Sequence, residues 1–206
     1  MSARRAAMDL LVAVENGRAL DDALALTPSF NALEGRDRAF ARALATETLR
    51  WQGVLDAVLA RFLQNPLPDS AQHARALLRM GAAQMLAMGT PAHAAVGETV
   101  ETANQMREAR GFAKLMNAVL RRVSERGHAI LCDLSEGTHL PAWLFTRWRA
   151  AYGAEKAAAM AMATLNPAPL DLSVKADAAG WAEKLGGVVA PTGSVRLLGS
   201  PASSPA

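Results

Sequence analysis

Basic side chains that could bind phosphate groups are concentrated in one stretch of the chain. Lys114, Arg121, Arg122 and Arg126 lie between residues 114 and 126, where Glu125 is the only acidic residue. The planar guanidinium of arginine donates hydrogen bonds in a fork that matches phosphate oxygens. Such a stretch predicts a surface for the phosphates of a nucleic acid. The alternative for Arg122 is an electrostatic interaction with the end of its own helix.

Two other pairs of arginines lie near the starts of predicted helices. Arg4 and Arg5 open the first one, where backbone N–H groups without helical partners also attract anions. Arg36 and Arg38 lie near the start of a longer predicted helix and away from its apolar stripe. The alternative for both pairs is a solvated helix surface, on which ion pairs one turn apart contribute only about 0.2–0.5 kcal/mol each.

The remaining reactive residue types predict neither a catalytic residue nor a metal site. Cys132 is the only cysteine, which excludes an internal disulfide and zinc motifs that use paired cysteines. Asp133 and Glu136 follow it and disfavour the thiolate that a nucleophile requires. No two of the four histidines have a metal-binding spacing along one helix.

The composition predicts a mainly α-helical protein. Of 206 residues, 51% are apolar but only 5% are aromatic, so the core must consist mostly of aliphatic residues and methionine, which favour helices apart from valine. No apolar run is long enough for a membrane span, and the charged start of the chain does not resemble a secretory signal. We therefore expect a cytoplasmic protein without a membrane partner. The net charge is +3.

Helical periodicity extends over residues 1–127. Prolines 66 and 68 must interrupt it with a loop. The segment around residues 77–86 is apolar on more than one side, which is typical of a central helix. Gly127 is expected to end the last helix of this set. The pattern predicts an all-helical domain over residues 1–127.

The periodicity of the sequence changes after residue 127. Residues 128–138 are expected to form a linker, followed by helices from about Pro141 to Gly153 and over 154–165. Alternation at 170–174 indicates a strand, residues 177–185 a helix, and 188–189 and 195–198 further strands. Residues 128–198 are therefore predicted to be a small, partial α/β linker subdomain. Residues 199–206, rich in small residues and proline, are predicted to be disordered.

Several segments, taken in order, resemble the NusB-like domain. None is decisive alone, and the resemblance rests on their order and spacing. That domain is all-helical, and its family binds RNA partly through an arginine-rich N-terminal segment, which by position implies RNA-binding roles for Arg4 and Arg5. The segments are RRAA at 4–7, RDRAFA at 36–41, TLR at 48–50, LRMGAAQML at 78–86, PAHAAV at 91–96, ETVE at 98–101 and NAVLRRV at 117–123.

The later part of the chain resembles the linker of the Sun/Fmu-type 16S ribosomal RNA cytosine methyltransferases. The matching residues are LPAWL at 140–144, Trp148, Tyr152 with Gly153, and NPAPL at 166–170. In that family a NusB-like domain and a linker precede a catalytic domain. The family's enzyme uses S-adenosylmethionine and a cysteine nucleophile to methylate carbon-5 of a cytosine.

The chain lacks two motifs of that family, the Ala-Pro-Gly-Gly-Lys-type cofactor loop and the Pro-Cys or Thr-Cys-Ser motifs. We therefore expect a truncated, non-enzymatic portion without a cofactor of its own, whose partners are ribosomal RNA and the missing catalytic domain. The leading hypothesis is the RNA-recognition portion of such a methyltransferase. The alternatives are a free-standing NusB-type transcription antitermination factor and a helical protein–protein scaffold.

Overall fold

A computed structural model describes residues 2–198, which form eleven α-helices and three short strands. This confirms the predicted mainly α fold class. The chain divides into two compact units between Met162 and Ala163. The helices of the first unit are α1 (Ala3–Glu15), α2 (Leu20–Leu26), α3 (Pro28–Asn31), α4 (Gly35–Arg50), α5 (Gln52–Ala60), α6 (Gln72–Leu86), α7 (Ala92–Asn104), α8 (Ala113–Asp133) and α9 (Ala142–Tyr152). The division falls within the last turn of α10 (Ala154–Thr164).

Helix α1 shows how local sequence sets the limits of an element. The Ser2 hydroxyl accepts a hydrogen bond from the Arg5 backbone N–H at 3.2 Å, which satisfies one of the free donors at the helix start. At the other end Gly17 adopts a φ of +90°, which a side chain would disfavour. The Arg18 N–H then returns to the Ala13 carbonyl. These signals limit the helix to little more than three turns.

Helix α6 is the centre of the first unit, as its apolar sequence predicts. It packs against α1, α4, α5, α7 and α8. Those five helices also contact one another in the cyclic order α1, α4, α5, α8, α7 and back to α1, so they form a ring around α6. Eleven residues of α6 are buried, including Gln84. A helix enclosed in this way must be apolar over most of its surface, and Arg75 and Arg79 lie on its remaining, partly exposed side.

Two glycines allow the close approach of α6 and α8. A Cβ atom on Gly81 would lie 2.6 Å from Leu120 Cδ1, and one on Gly127 would lie 3.1 Å from Leu86 Cδ2. The expectation that Gly127 ends its helix is therefore wrong. Helix α8 continues to Asp133, because Gly127 is buried and lets the Leu86 side chain pass.

A short segment after α8 returns the chain to the helical ring. The backbone of His139 lies so close to Gly53 in α5 that a Cβ atom there would meet the His139 carbonyl oxygen at 2.5 Å. The His139 ring donates a hydrogen bond from Nε2 to the carbonyl oxygen of Ala161 in α10, at 2.8 Å. His139 thus contacts α5 through its backbone and α10 through its ring.

The second unit contains a small sheet and one helix, close to the predicted pattern. Strands β1 (Asp171–Leu172), β2 (Gly187–Val189) and β3 (Val195–Leu197) form a sheet in the order β1-β3-β2, and β3 is antiparallel to both neighbours. Helix α11 (Ala178–Leu185) packs on β2 and β3. Asp177 caps it by accepting a hydrogen bond from the Gly180 N–H at 3.0 Å.

The predicted limits of the domains differ from the division into compact units. Residue 127 lies inside α8, whereas the units divide after Met162, because α8 continues past Gly127 without a break. The assignment of residues 1–127 and 128–198 to two domains stays a prediction. The predicted disorder at 199–206 lies outside the described residues. No helix among residues 2–198 is long and apolar enough to cross a membrane.

Candidate nucleic-acid interface

The cations of α8 occupy its solvent-exposed side in two lines. Lys114 and Arg121 are seven residues apart and lie along the crest of the helix, opposite its buried residues. Arg122 and Arg126 are four residues apart and form a second line on the flank that faces the end of α5. All four are exposed. Within residues 2–198 none of them forms an ion pair.

A basic depression of about 700 Å³ lies between the end of α5 and α8. Arg61, Arg122 and Arg126 line it together with Phe62. Arg61 follows α5 directly and comes into this position because α5 is the neighbour of α8 in the ring. Three arginines, one directly after α5 and two from α8, therefore share one concave surface. Its two acidic lining residues are Glu125 and Asp133.

An aromatic groove of about 470 Å³ adjoins this basic depression. The loop that follows α5 forms one wall, with Phe62 and Leu63. Phe112, directly before α8, and Leu115, in its first turn, contribute to the other wall. Arg122 and Phe62 line both concavities, so the basic depression and the aromatic groove meet at these two side chains.

Arg4 is held by contacts within the protein. Its Nε donates a hydrogen bond to Oε1 of the buried Gln84 at 3.1 Å, and its NH1 lies 3.5 Å from Oε2 of Glu98. The guanidinium carbon is 5.3 Å from the centre of the Phe40 ring. Only 22% of the side chain is exposed. Arg4 therefore connects α1 with α4, α6 and α7, and its assignment to RNA binding stays a prediction.

The other arginines at this end of the unit are more accessible. Arg5 is 44% exposed and lies 3.9 Å from Asp9, a distance at which an exposed pair contributes little. Arg38 stacks over the ring of Phe30, 4.6 Å from its centre. Arg36 is exposed at the start of α4 and has neither an ion pair nor a hydrogen bond to any side chain described in residues 2–198.

The eight predicted site residues lie on two separate surfaces. Arg4, Arg5, Arg36 and Arg38 belong to α1 and α4, which pack against each other, and the Arg4–Phe40 contact brings the starts of both helices together. The four cations of α8 lie elsewhere, because α7 separates α8 from α1 in the ring and α5 separates it from α4. The structure therefore does not assemble one continuous site from the predicted residues.

Sequence reasoning missed Arg61, which completes the basic depression. Arg61 stands alone among apolar residues in the sequence, and nothing near it in the chain indicates a partnership with α8. The only local signal is the adjacent Phe62, since a basic and an aromatic residue together are typical of nucleic-acid contacts. Recognising the pair requires knowing that α5 and α8 are neighbours.

The described residues do not fit the S-adenosylmethionine that the resemblance implies. A nucleotide-type cofactor needs a glycine-rich turn between a strand and a helix. The one Gly-Gly pair, at 186–187, instead follows a helix, with Gly186 directly after α11 and Gly187 as the first residue of β2. Gly187 faces β3, where a Cβ atom would meet the Arg196 carbonyl oxygen at 2.6 Å. Across residues 2–198 no three histidine, cysteine or acidic side chains come together as metal ligands.

The fold and surface define a helical module in which the exposed arginines of α8 lack acidic partners. Residues 1–125 match the NusB family, and the chain belongs to that family. The resemblance to the NusB-like domain found from the sequence segments is thereby confirmed.

Curated relatives extend the similarity beyond the helical ring. Each relative named here is called ribosomal RNA small subunit methyltransferase B. The protein of Pseudomonas syringae pv. tomato is 38% identical over 157 residues, which cover 74% of this chain and 34% of the relative. That of Xanthomonas campestris pv. campestris is 35% identical over 176 residues, covering 84% and 39%. That of Thermus thermophilus is 39% identical over 173 residues, covering 81% and 39%. The chain thus spans little more than a third of their length.

Proposed function

We propose that this chain binds RNA, as the ribosomal RNA-recognition portion of a small-subunit rRNA cytosine methyltransferase. The observation that carries the proposal is the set of exposed arginines on α8 without acidic partners. Six other arginines in residues 2–198 each form an ion pair with a carboxylate: Arg4, Arg5, Arg50, Arg75, Arg79 and Arg196. Arginines left without such a pair keep all their donors available for phosphate oxygens.

The family and the relatives support the choice of RNA over another polyanion. The helical ring belongs to the NusB family, and the relatives that continue past it are named as ribosomal RNA methyltransferases. In this proposal the α8 surface holds the folded RNA through its phosphates, and methylation takes place elsewhere in the full-length enzyme. Phosphate contacts set position and orientation more than sequence preference. Binding by this chain alone should therefore be salt-sensitive and only weakly sequence-selective.

The test is a fluorescence-anisotropy titration of a labelled 16S rRNA hairpin with the chain at about 50 mM and about 200 mM salt, a range over which phosphate contacts lose much of their affinity. We compare the native chain with the double variant Arg121→Glu, Arg122→Glu. Removing two phosphate contacts should reduce the slope of log K against log salt by about 1.5. The matched control is Arg18→Glu, Lys175→Glu, which changes the net charge equally at two exposed positions that do not belong to α8.

The outcomes separate a site from a general effect of charge. Weakening by the α8 variant alone supports the proposed surface. Equal weakening by both variants refutes the assignment to α8. If the native chain binds no RNA even at low salt, the proposal fails. The ring of helices around α6 would then be better explained as a scaffold for protein–protein contacts.

A further inference from the structure

The junction of the basic depression and the aromatic groove has two different chemical surfaces side by side. Arg61, Arg122 and Arg126 line the first, and Phe62 and Phe112 line the second. Their volumes, about 700 and 470 Å³, are within the range of small-molecule sites in proteins. A ligand that occupies both must carry an anion next to a flat, apolar group.

The charge of the basic depression is available to such a ligand. Glu125 and Asp133 also line it, so its formal charge is +1. Among residues 2–198, however, neither acid lies within 4.0 Å of a guanidinium nitrogen. The two carboxylates lower the potential without occupying the donors of the arginines. A single phosphate placed among three guanidiniums can therefore receive several charge-assisted hydrogen bonds.

The aromatic groove is suited to a planar ring. Phe62 and Phe112 are both partly buried, which fixes their rings while leaving part of each accessible. Leu115 also lines the groove and is 38% exposed, so it adds accessible apolar surface beside the rings. Bases of single-stranded nucleic acid stack on such rings, whereas paired bases inside a helix cannot reach them.

We propose that this junction binds one unpaired nucleotide of an RNA, with its phosphate in the basic depression and its base in the aromatic groove. Arg122 and Phe62, which line both concavities, would contact the nucleotide at its sugar. The inference rests on the proposed function and specifies it, because it assigns the α8 surface to a bulge or loop and not to a regular helix. It adds Arg61, Phe62 and Phe112 to the RNA-binding residues.

The test uses three labelled RNA hairpins that differ at one position. The first has a single bulged uridine, the second has an abasic residue in the bulge, and the third is fully paired. The native chain should bind the bulged hairpin about tenfold more tightly than the other two, as expected for one stacked base. In Phe62→Leu the preference for the bulged hairpin over the abasic one should be lost. Phe62→Tyr, which keeps a ring, should preserve it and shows that the site still folds.

A second variant tests the phosphate half of the site separately. Arg61→Gln should weaken the binding of the bulged and abasic hairpins by the same factor and reduce the salt slope by about 0.7–0.9, the value of one phosphate contact. The preference for the bulged base should be unchanged in Arg61→Gln. Arg18→Gln, an equal loss of charge at an exposed position outside the depression, is the control and should bind like the native chain.

The possible failures are distinguishable. If the bulged and abasic hairpins bind the native chain equally while the Arg121→Glu, Arg122→Glu variant is weakened, the nucleotide site is refuted and the proposed function stands. If no RNA binds, both proposals fail. If Phe62→Leu and Phe62→Tyr both retain the preference for the bulged base, base recognition occurs elsewhere and the inference is overturned. If an acidic, phenylalanine-containing peptide binds the junction and the bulged hairpin does not, the junction is a site for a protein partner and the inference is overturned.

Discussion

The contact between Gly53 and His139 gives a stability prediction with an unusual sign. Replacing glycine by alanine inside a helix normally stabilises it by up to about 1 kcal/mol. At Gly53, however, the added Cβ atom would meet the carbonyl oxygen, Cα and carbonyl carbon of His139 at 2.5, 2.6 and 2.8 Å. Because ordinary carbon contacts lie near 3.5 Å, the two backbones would have to separate by about 1 Å. Backbone atoms cannot rotate away as a side chain can.

The expected cost of Gly53→Ala follows from that displacement. Overpacking of this kind costs about 1–3 kcal/mol, and the helix-propensity gain is small because Gly53 lies in the first turn of α5. The melting temperature, followed by the helical circular dichroism signal, should fall by about 2–10 °C in a protein of this size. Gly97→Ala is the matched control, since α7 leaves nothing within 4 Å of a Cβ atom there. It should raise the melting temperature by about 2–4 °C. An increase in both variants would refute the predicted contact between His139 and α5.

Two further predictions concern ion pairs. Arg79 donates two hydrogen bonds to Asp56, at 2.7 and 2.8 Å, and is 13% exposed, so Arg79→Ala should lower the free energy of unfolding in urea by about 1–3 kcal/mol. Arg42→Ala removes an exposed arginine and should change it by no more than about 0.5 kcal/mol; equal effects would contradict the role of the pair. In the second unit, hydrogen bonds from Arg196 lower the pKa of Asp171 below its ordinary 3.8. The ionised Asp171 carboxylate therefore stabilises the pairing of β1 and β3 above pH 3.8, and this contribution is lost as the pH falls through the lowered pKa. In Arg196→Gln, NMR titration of the Asp171 carboxyl group should show its pKa return toward 3.8.

The parts of the fold that local pattern determines could be predicted from the sequence. The apolar character of α6 on more than one side indicated its central place, and alternation near Leu172 located the first strand, although the strand is shorter than the pattern. The prediction that Gly127 ends α8 was wrong, because a glycine that ends a helix and a glycine that makes room for a neighbouring side chain look alike in sequence. The two differ only in whether a side chain such as Leu86 lies opposite.

The candidate site was harder to predict, because its chemistry depends on contacts between distant residues. Arg4 was placed in the RNA-binding set by its position at the start of the chain. Its hydrogen-bond partner Gln84 is eighty positions away, so the internal role of Arg4 has no signature in the sequence. Arg61 was missed for the converse reason, since it gains its significance from α8. The basic character of α8 itself was visible, because charge density along one segment is a local property.

The ring of helices around α6 has a consequence for how the protein is made. Three of the helices that cover α6 precede it in the chain, but α7 and α8 follow it. When Leu86 has just emerged from the ribosome, α6 is therefore exposed on the sides that α7 and α8 will later cover, including the surface beside Gly81. That surface stays exposed until α8, which ends at Asp133, has also emerged from the ribosome. Because exposed apolar surface promotes aggregation, the nascent chain is most vulnerable in this interval and most dependent on slow release or chaperone cover.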